Sequence, residues 1–171
     1  MTWSFVALGA NLGSPLETIL STIEALKELE GVEQFQVSSL YETTPVGGPK
    51  QPNYINAVCG FLYTQSLFSL FHALRALEIR MGRARSSVRN EPRAIDLDLL
   101  FFGETTHYSP ELILPHPRWH ERLFVLHPLQ EISEKIPLPF QFQLDTLLSQ
   151  FKNTYCEQIQ PIGDPHVVRA V

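Results

Sequence analysis

The chain has 171 residues, 44% of them hydrophobic and 18% charged, with a net charge of −5. A chain of this length suits one domain and buries about 70% of its unfolded surface without disulfide staples. Cys59 and Cys156 show no CxxC or paired-His spacing, which excludes a zinc framework and fits a reducing compartment. With no basic leader and nothing near the roughly 18 apolar residues of a membrane span, a cytoplasmic protein is expected, with no membrane partner.

Residues 3–9, WSFVALG, read as a buried strand. Ser14, Pro15 and Glu17 then have the spacing of a capping box with proline at the first helical position. The helix they open runs to Leu29, with Leu16, Ile19, Leu20, Ile23 and Leu26 on one face and Gly31 at its stop. Between strand and helix, Gly9-Ala-Asn-Leu-Gly13 lacks the lysine and spacing of a P-loop and is not GxGxxG, so its glycines are expected to form a tight strand-to-helix turn. Residues 35–41 predict a second strand, 42–53 a proline- and glycine-rich loop, and Tyr54–Thr64 a third strand.

Ser66 is placed to cap a second helix carrying Leu67, Leu70, Phe71, Leu74, Leu77 and Met81, closed by Gly82. A polar loop over 83–94 leads to Ile95–Phe102, an apolar strand interrupted by Asp96 and Asp98. The β-α-β-β-α-β order predicts an α+β, ferredoxin-like sandwich. A C-terminal extension follows: residues 110–117, a short helix or turn near Arg118–Leu123, and a helix over Leu144–Phe151. The whole chain, 1–171, is expected to be one domain, with 152–171 a loosely packed tail.

Charge is unevenly placed. Eight of the nine arginines lie between 75 and 122, and six of these fall within nineteen positions, against four lysines in all. Arginine's planar fork matches phosphate oxygens in two places at once, so this segment predicts an anion site within an acidic protein. Asp96 and Asp98, at i and i+2 on a strand, share one face, with Leu97, Leu99 and Phe101 expected on the other. Paired carboxylates in an apolar strand repel unless a cation lies between them, and hard oxygen ligands select Mg²⁺. Metal plus arginine is the equipment of phosphoryl transfer. Tyr54 and Asn56 also share a face, an aromatic to pack on a flat ring beside an amide able to read its edge.

Together ALGANLGSPLE, ETTPVGGPKQPNYINA, EIRMGRARSSVRNEPRAIDLDLLFFG and LPHPRWHERLFVLHPLQEI resemble the 6-hydroxymethyl-7,8-dihydropterin pyrophosphokinases, in order over residues 2–150. The block Pro92-Arg93-Ala94-Ile95-Asp96-Leu97-Asp98 is far more specific than a lone DxD. The resemblance implies transfer of the terminal diphosphate of ATP to a pterin hydroxymethyl group in folate synthesis, releasing AMP. It implies that Asp96 and Asp98 hold two Mg²⁺ ions. It places Arg83 and Arg93 with them as catalytic residues, and Glu78, Arg85, Arg89, Leu99, Ile113, His116 and Arg122 with Arg83 and Arg93 at the ATP site. Thr43, Val46, Tyr54, Asn56 and Phe124 fall at the pterin site. Asp98 is the candidate acceptor of the hydroxyl proton, and a monomer is expected.

Glu78 also has a plainer reading, as a helix charge paired with Arg75. Departures from the family pattern are Asn90 where many members have an aromatic, Glu91 where many have glycine, and Pro117 after the Pro-His pair. Two other classes fit parts of the pattern. A two-metal phosphodiesterase also needs paired carboxylates and arginines. An RNA-recognition module shares the element order but needs exposed aromatics where this chain has IDLDLLFF, so no nucleic-acid partner is expected.

Overall fold

The computed structural model describes residues 1–45, 51–82, 94–139, 141–151 and 159–165. The central strand β1 (Thr2–Ala10) pairs antiparallel with both β4 (Tyr54–Tyr63) and β5 (Asp96–Phe102). β4 also pairs antiparallel with β2 (Val32–Val37) and β3 (Leu40–Thr43), and β3 with β8 (Ile159–Gly163). The sheet order is β5-β1-β4-β3-β8 with β2 beside β4, and a small ladder joins β6 (His107–Tyr108) to β7 (Ile113–Leu114). A mixed α and β protein built on an antiparallel sheet is therefore what the chain forms. Within the expected tail, 159–163 is a paired strand, while 152–158 and 166–171 lie outside the described residues.

Two helices form where local signals placed them. Helix α2 (Leu67–Arg80) starts at Ser66, whose Oγ accepts from the Ser69 N–H at 3.2 Å, and Gly82 follows at φ +92°. Helix α1 (Pro15–Lys27) has the predicted extent to within two residues, but its capping box does not form. Ser14 makes no side-chain cap; its carbonyl instead accepts from Thr18 N and Thr18 Oγ1, both at 3.0 Å.

Three expectations need correction. The predicted strand 35–41 is two strands, broken at Ser38 and Ser39. Ser38 still pairs with Val58, but the Ser39 N–H turns to the Glu131 carboxylate at 2.9 Å, which ends the ladder there. The short helix or turn near 118–123 is a 3₁₀ turn (Trp119–Glu121) leading into a full helix, α3 (Leu123–Ser133). Its Leu123, Val125, Leu126, Leu129 and Ile132 are all buried, while Gln130 is exposed, so the helix is amphipathic. Pro128 within it and the missing side-chain cap hid it. Helix α4 (Gln141–Phe151) starts three residues before the expected Leu144.

The third correction concerns Phe101. The sheet has two covered faces. Val6, Leu8, Ala57, Cys59 and Phe61 pack under α1 and α2, whereas Phe5, Ala7, Val58 and Leu100 pack under α3 and α4. Leu97 and Leu99 join the first layer as expected, but Phe101 joins the second. Val6 pairs with Leu99 and Phe5 with Phe101, so Leu100 is an extra residue that swings Phe101 to the face of the aspartates. There it meets Phe5 and Trp119 edge-on, at 6.0 and 5.1 Å between centroids. Gly60 lets Ile136, just after α3, pack into this layer, because a Cβ there would run into Ile136 and Phe5.

Candidate active site

The second face is covered along only part of its length. Beyond Ala7, Val58 and Leu100 the same three strands continue with Gly9, with Asn56 and Tyr54, and with Asp98 and Asp96. Both aspartates are half-buried while Leu97 and Leu99 between and beyond them are buried, so the shared carboxylate face predicted from the i, i+2 spacing is present. Being at the sheet edge, β5 offers outward backbone groups, and the Leu97 N–H donates to Glu78 Oε1 at 2.8 Å. Glu78 is 1% exposed and accepts from Arg75 Nη1 at 2.9 Å through its other oxygen. The pairing with Arg75 is thus real, and the carboxylate braces β5 directly beside Asp96 and Asp98.

Arg122, immediately before α3, donates from Nη1 to Asp98 Oδ2 at 3.0 Å and lies 5.5 Å from the centre of the Phe124 ring. His116 is tied to the edge strand by its N–H on the Leu100 carbonyl, 2.9 Å. Its Nδ1 accepts from the Arg118 N–H at 3.2 Å, and its Nε2 stands 3.7 Å from Asp98 Oδ2. Burial pushes the His116 pKa down from 6.5; the Asp98 charge opposes this, while Arg122 and Arg118 reinforce it. A neutral imidazole that accepts at Nδ1 carries its proton on Nε2, facing Asp98.

Around the same edge lies a cleft of about 200 Å³, lined on one side by Phe71, Leu74 and Arg75 and on the other by Ile113 and His116. Leu97, Asp98 and Leu99 form its floor. The structure therefore gathers Leu99, Ile113 and His116 of the expected ATP-site residues around one opening with the expected metal ligand Asp98, through which Arg122 reaches it.

Across β1, Asn56 and Thr43 are buried, and Asn56 Nδ2 donates to Thr43 Oγ1 at 2.7 Å. The Tyr54 hydroxyl donates to Gln51 Oε1 at 3.1 Å, and Asn11 Nδ2 reaches the same oxygen at 3.0 Å. Phe124 packs at the edge of the second layer, two helical turns before Glu131 on the same side of α3. Of the expected residues, Val46 and Arg83, Arg85, Arg89 and Arg93 lie outside the described residues, as do Asn90 and Glu91.

Some residues that shape the site carry no sequence signal. Glu131 accepts from the Ser39 N–H and Oγ and from the Tyr41 hydroxyl at 3.1 Å, 90 or more positions away. Burial, with the Glu131 charge and hydrogen bond, pushes the Tyr41 pKa up to about 12.

An edge strand carrying paired carboxylates, with an arginine on one of them and a cleft alongside, defines an enzyme of phosphoryl transfer. Comparison with known proteins narrows the class. Residues 5–134 match the family described as 7,8-dihydro-6-hydroxymethylpterin-pyrophosphokinase (HPPK). The 2-amino-4-hydroxy-6-hydroxymethyldihydropteridine pyrophosphokinase of Pseudomonas aeruginosa is 37% identical over 145 residues, covering 85% of this chain and 89% of that protein. The protein of the same name from Haemophilus influenzae is 32% identical over 161 residues, covering 94% of this chain and 100% of its own. The Folic acid synthesis protein fol1 of Schizosaccharomyces pombe is 34% identical, and the match spans 86% of this chain but 21% of that longer protein.

A crystal structure of an HPPK-DHPS in complex with substrates superposes with a TM-score of 0.64 over 90% of this chain and 44% of that chain; at 13% identity the likeness is one of fold. The chain belongs to the HPPK family, and with it to the pyrophosphokinases of folate biosynthesis. The phosphodiesterase alternative finds no support. Among the described residues no helix is long and apolar enough to cross a membrane.

Proposed function

We propose that this site transfers the terminal diphosphate of ATP to the hydroxymethyl oxygen of 6-hydroxymethyl-7,8-dihydropterin. A bond forms between that oxygen and the β-phosphorus, the bond from the β-phosphorus to the α–β bridging oxygen breaks, and AMP leaves with that oxygen. Asp98 is the candidate acceptor of the hydroxyl proton. One observation carries the assignment: the Asp96 and Asp98 carboxylates on β5 and the Asn56 amide on β4 share one open sheet face, with only β1 between them.

The donor set suits Mg²⁺, which takes one or two protein carboxylates and completes its shell with water and phosphate oxygens. On the strength of the resemblance, Asp96 and Asp98 would hold two ions jointly with the substrate. Bound there, Mg²⁺ would neutralise phosphate charge and polarise the phosphorus. The protein's own groups do the rest. Arg122 orients Asp98, neutral His116 presents its Nε2–H toward the same carboxylate, and the cleft at Leu99 and Ile113 supplies apolar walls for a nucleobase. Glu78 fixes the edge strand on which the nucleotide would lie.

Asn56, fixed by Thr43, reads the amide edge of the pterin, with Tyr54 and Phe124 packing on its ring. Arg83 and Arg93, with Arg85 and Arg89, are proposed as phosphate ligands on the strength of the resemblance. The strand order β5-β1-β4 with β2 and β3 supports a ferredoxin-like reading in which one strand is split. A cytoplasmic monomer fits a single-domain enzyme acting on small, charged substrates.

The test is nucleotide product analysis with ATP, Mg²⁺ and hydroxymethyl-dihydropterin. AMP in equal amount to dihydropterin diphosphate, lost on chelation and restored by Mg²⁺, is the expected result. ADP as the product, or turnover indifferent to chelator, would overturn the assignment.

A further inference from the structure

Gly9 does not belong to a turn. It lies inside β1, paired with Asn56 on one side and with Asp96 on the other. The chain reverses later, at Gly13, which has φ +63°. Gly9 is not among the residues of positive φ, so its backbone conformation is open to any L residue. Glycine within a strand costs stability relative to alanine, because it loses more freedom on folding and packs nothing. Backbone conformation therefore supplies no reason for glycine at this position.

The open face supplies one. A Cβ on residue 9 would stand 3.1 Å from Asn56 Oδ1. That amide has no room to retreat, since Asn56 is 3% exposed and its Nδ2 is held by Thr43 Oγ1 at 2.7 Å. The added carbon would crowd that acceptor on the face that β1 shares with Asn56 and Asp96.

We propose that Gly9 is a specificity-determining residue, the bare floor over which the pterin lies between Asn56 and the Asp96–Asp98 pair. The missing side chain lets the edge of the ring, packed by Tyr54 and Phe124, reach van der Waals distance of β1. Its exocyclic carbon then points from the amide strand toward the carboxylate strand, where the diphosphate is delivered. Residues with any side chain at position 9 would lift the ring and spoil the approach of its hydroxyl to the β-phosphorus. This assignment rests on the pterin placement proposed above.

The experiment compares wild type, Gly9→Ala and Asn56→Ala as full chains, by calorimetric titration with hydroxymethyl-dihydropterin and separately with a non-hydrolysable ATP analogue plus Mg²⁺, and by thermal melting. For Gly9→Ala the expected result is a pterin Kd raised by about tenfold or more, analogue binding within about twofold of wild type, and a cooperative melt with a small fall in Tm from the crowding of Asn56. A merely structural glycine would weaken both ligands together, which would overturn the proposal. So would an unchanged pterin Kd in folded Gly9→Ala while Asn56→Ala loses binding; that pattern leaves the pterin placement standing. Wild-type pterin affinity in Asn56→Ala would remove the placement itself, and the Gly9 proposal with it.

Discussion

The two ends of one sheet face make an instructive pair. Under α3 and α4, strands β1, β4 and β5 contribute Phe5, Ala7, Val58 and Leu100, which are fully or almost fully buried. A few residues along the same strands, the face carries Gly9, Asn56, Asp96 and Asp98, outside the apolar cluster that α3 and α4 form with the sheet among the described residues. Period-two alternation runs through both ends, interrupted at the covered end only by the bulge at Leu100. What differs is whether α3 and α4 lie above, so the end left open can keep carboxylates partly in water while their neighbours on the other face remain core. Burial at one end fixes strand positions that the chemistry at the other requires.

The comparison breaks most sharply at the carboxylates. Asp96→Ala or Asp98→Ala should lower AMP release by about a thousandfold or more, since the metal bridge is lost, with little change in chemical denaturation. Near-normal turnover in either variant would show that the open end is not the reacting centre. At the covered end, Leu129→Ala should cost about 2–5 kcal/mol in denaturant-measured stability while turnover per folded molecule is kept. A large loss of kcat without loss of stability would mean that the two ends are not separable.

Glu131 sharpens the contrast because it serves both ends. It belongs to α3 and holds the β2–β3 junction through Ser39 and Tyr41, upstream of Thr43. Glu131→Ala should lose about 2 kcal/mol of stability and raise KM for pterin more than KM for ATP, with partial recovery in Glu131→Gln. Equal changes in both KM values would place its influence on the whole domain.

The smallest expected effect is a pH dependence within the covered half. Burial lowers the His127 pKa below 6.5, so folding favours its neutral form. Its contribution to stability is complete above the unfolded value of 6.5 and is lost as pH falls through the lower folded value. His127→Gln should flatten the decline in Tm between about pH 6.5 and pH 5 without moving the plateau above it. A decline as steep as that of wild type would assign it to other groups.

Much of this molecule was legible residue by residue. Ser66 and Gly82 bounded α2 because capping is settled within four residues, and Asp96 and Asp98 shared a face because the strand is unbulged between them. Helix α3 was not legible, since it lacks a side-chain cap and Pro128 contradicts local propensity. The break after Val37 was hidden as well, for its cause is Glu131, 92 positions beyond Ser39. Phe101 changed face through a bulge that strand composition does not encode. Gly9 looked like turn chemistry because glycine's freedom is its commonest use, whereas its place between Asn56 and Asp96 is a matter of register.

By itself the sequence determined the helix ends around residues 66–82, the shared face of Asp96 and Asp98, the concentration of arginine in an acidic chain and the family resemblance. Each is a local property, fixed by bond geometry, charge or ordered motifs. Tertiary structure decided which end of the sheet stays open and that Arg122 meets Asp98 across 24 positions. It also decided that Glu78 braces β5 and that Gly9 lies between the amide and the carboxylates. These depend on strand register and on where α3 comes to rest, which are set by burying Leu126, Leu129 and Ile132 against the sheet and not by any neighbour in sequence.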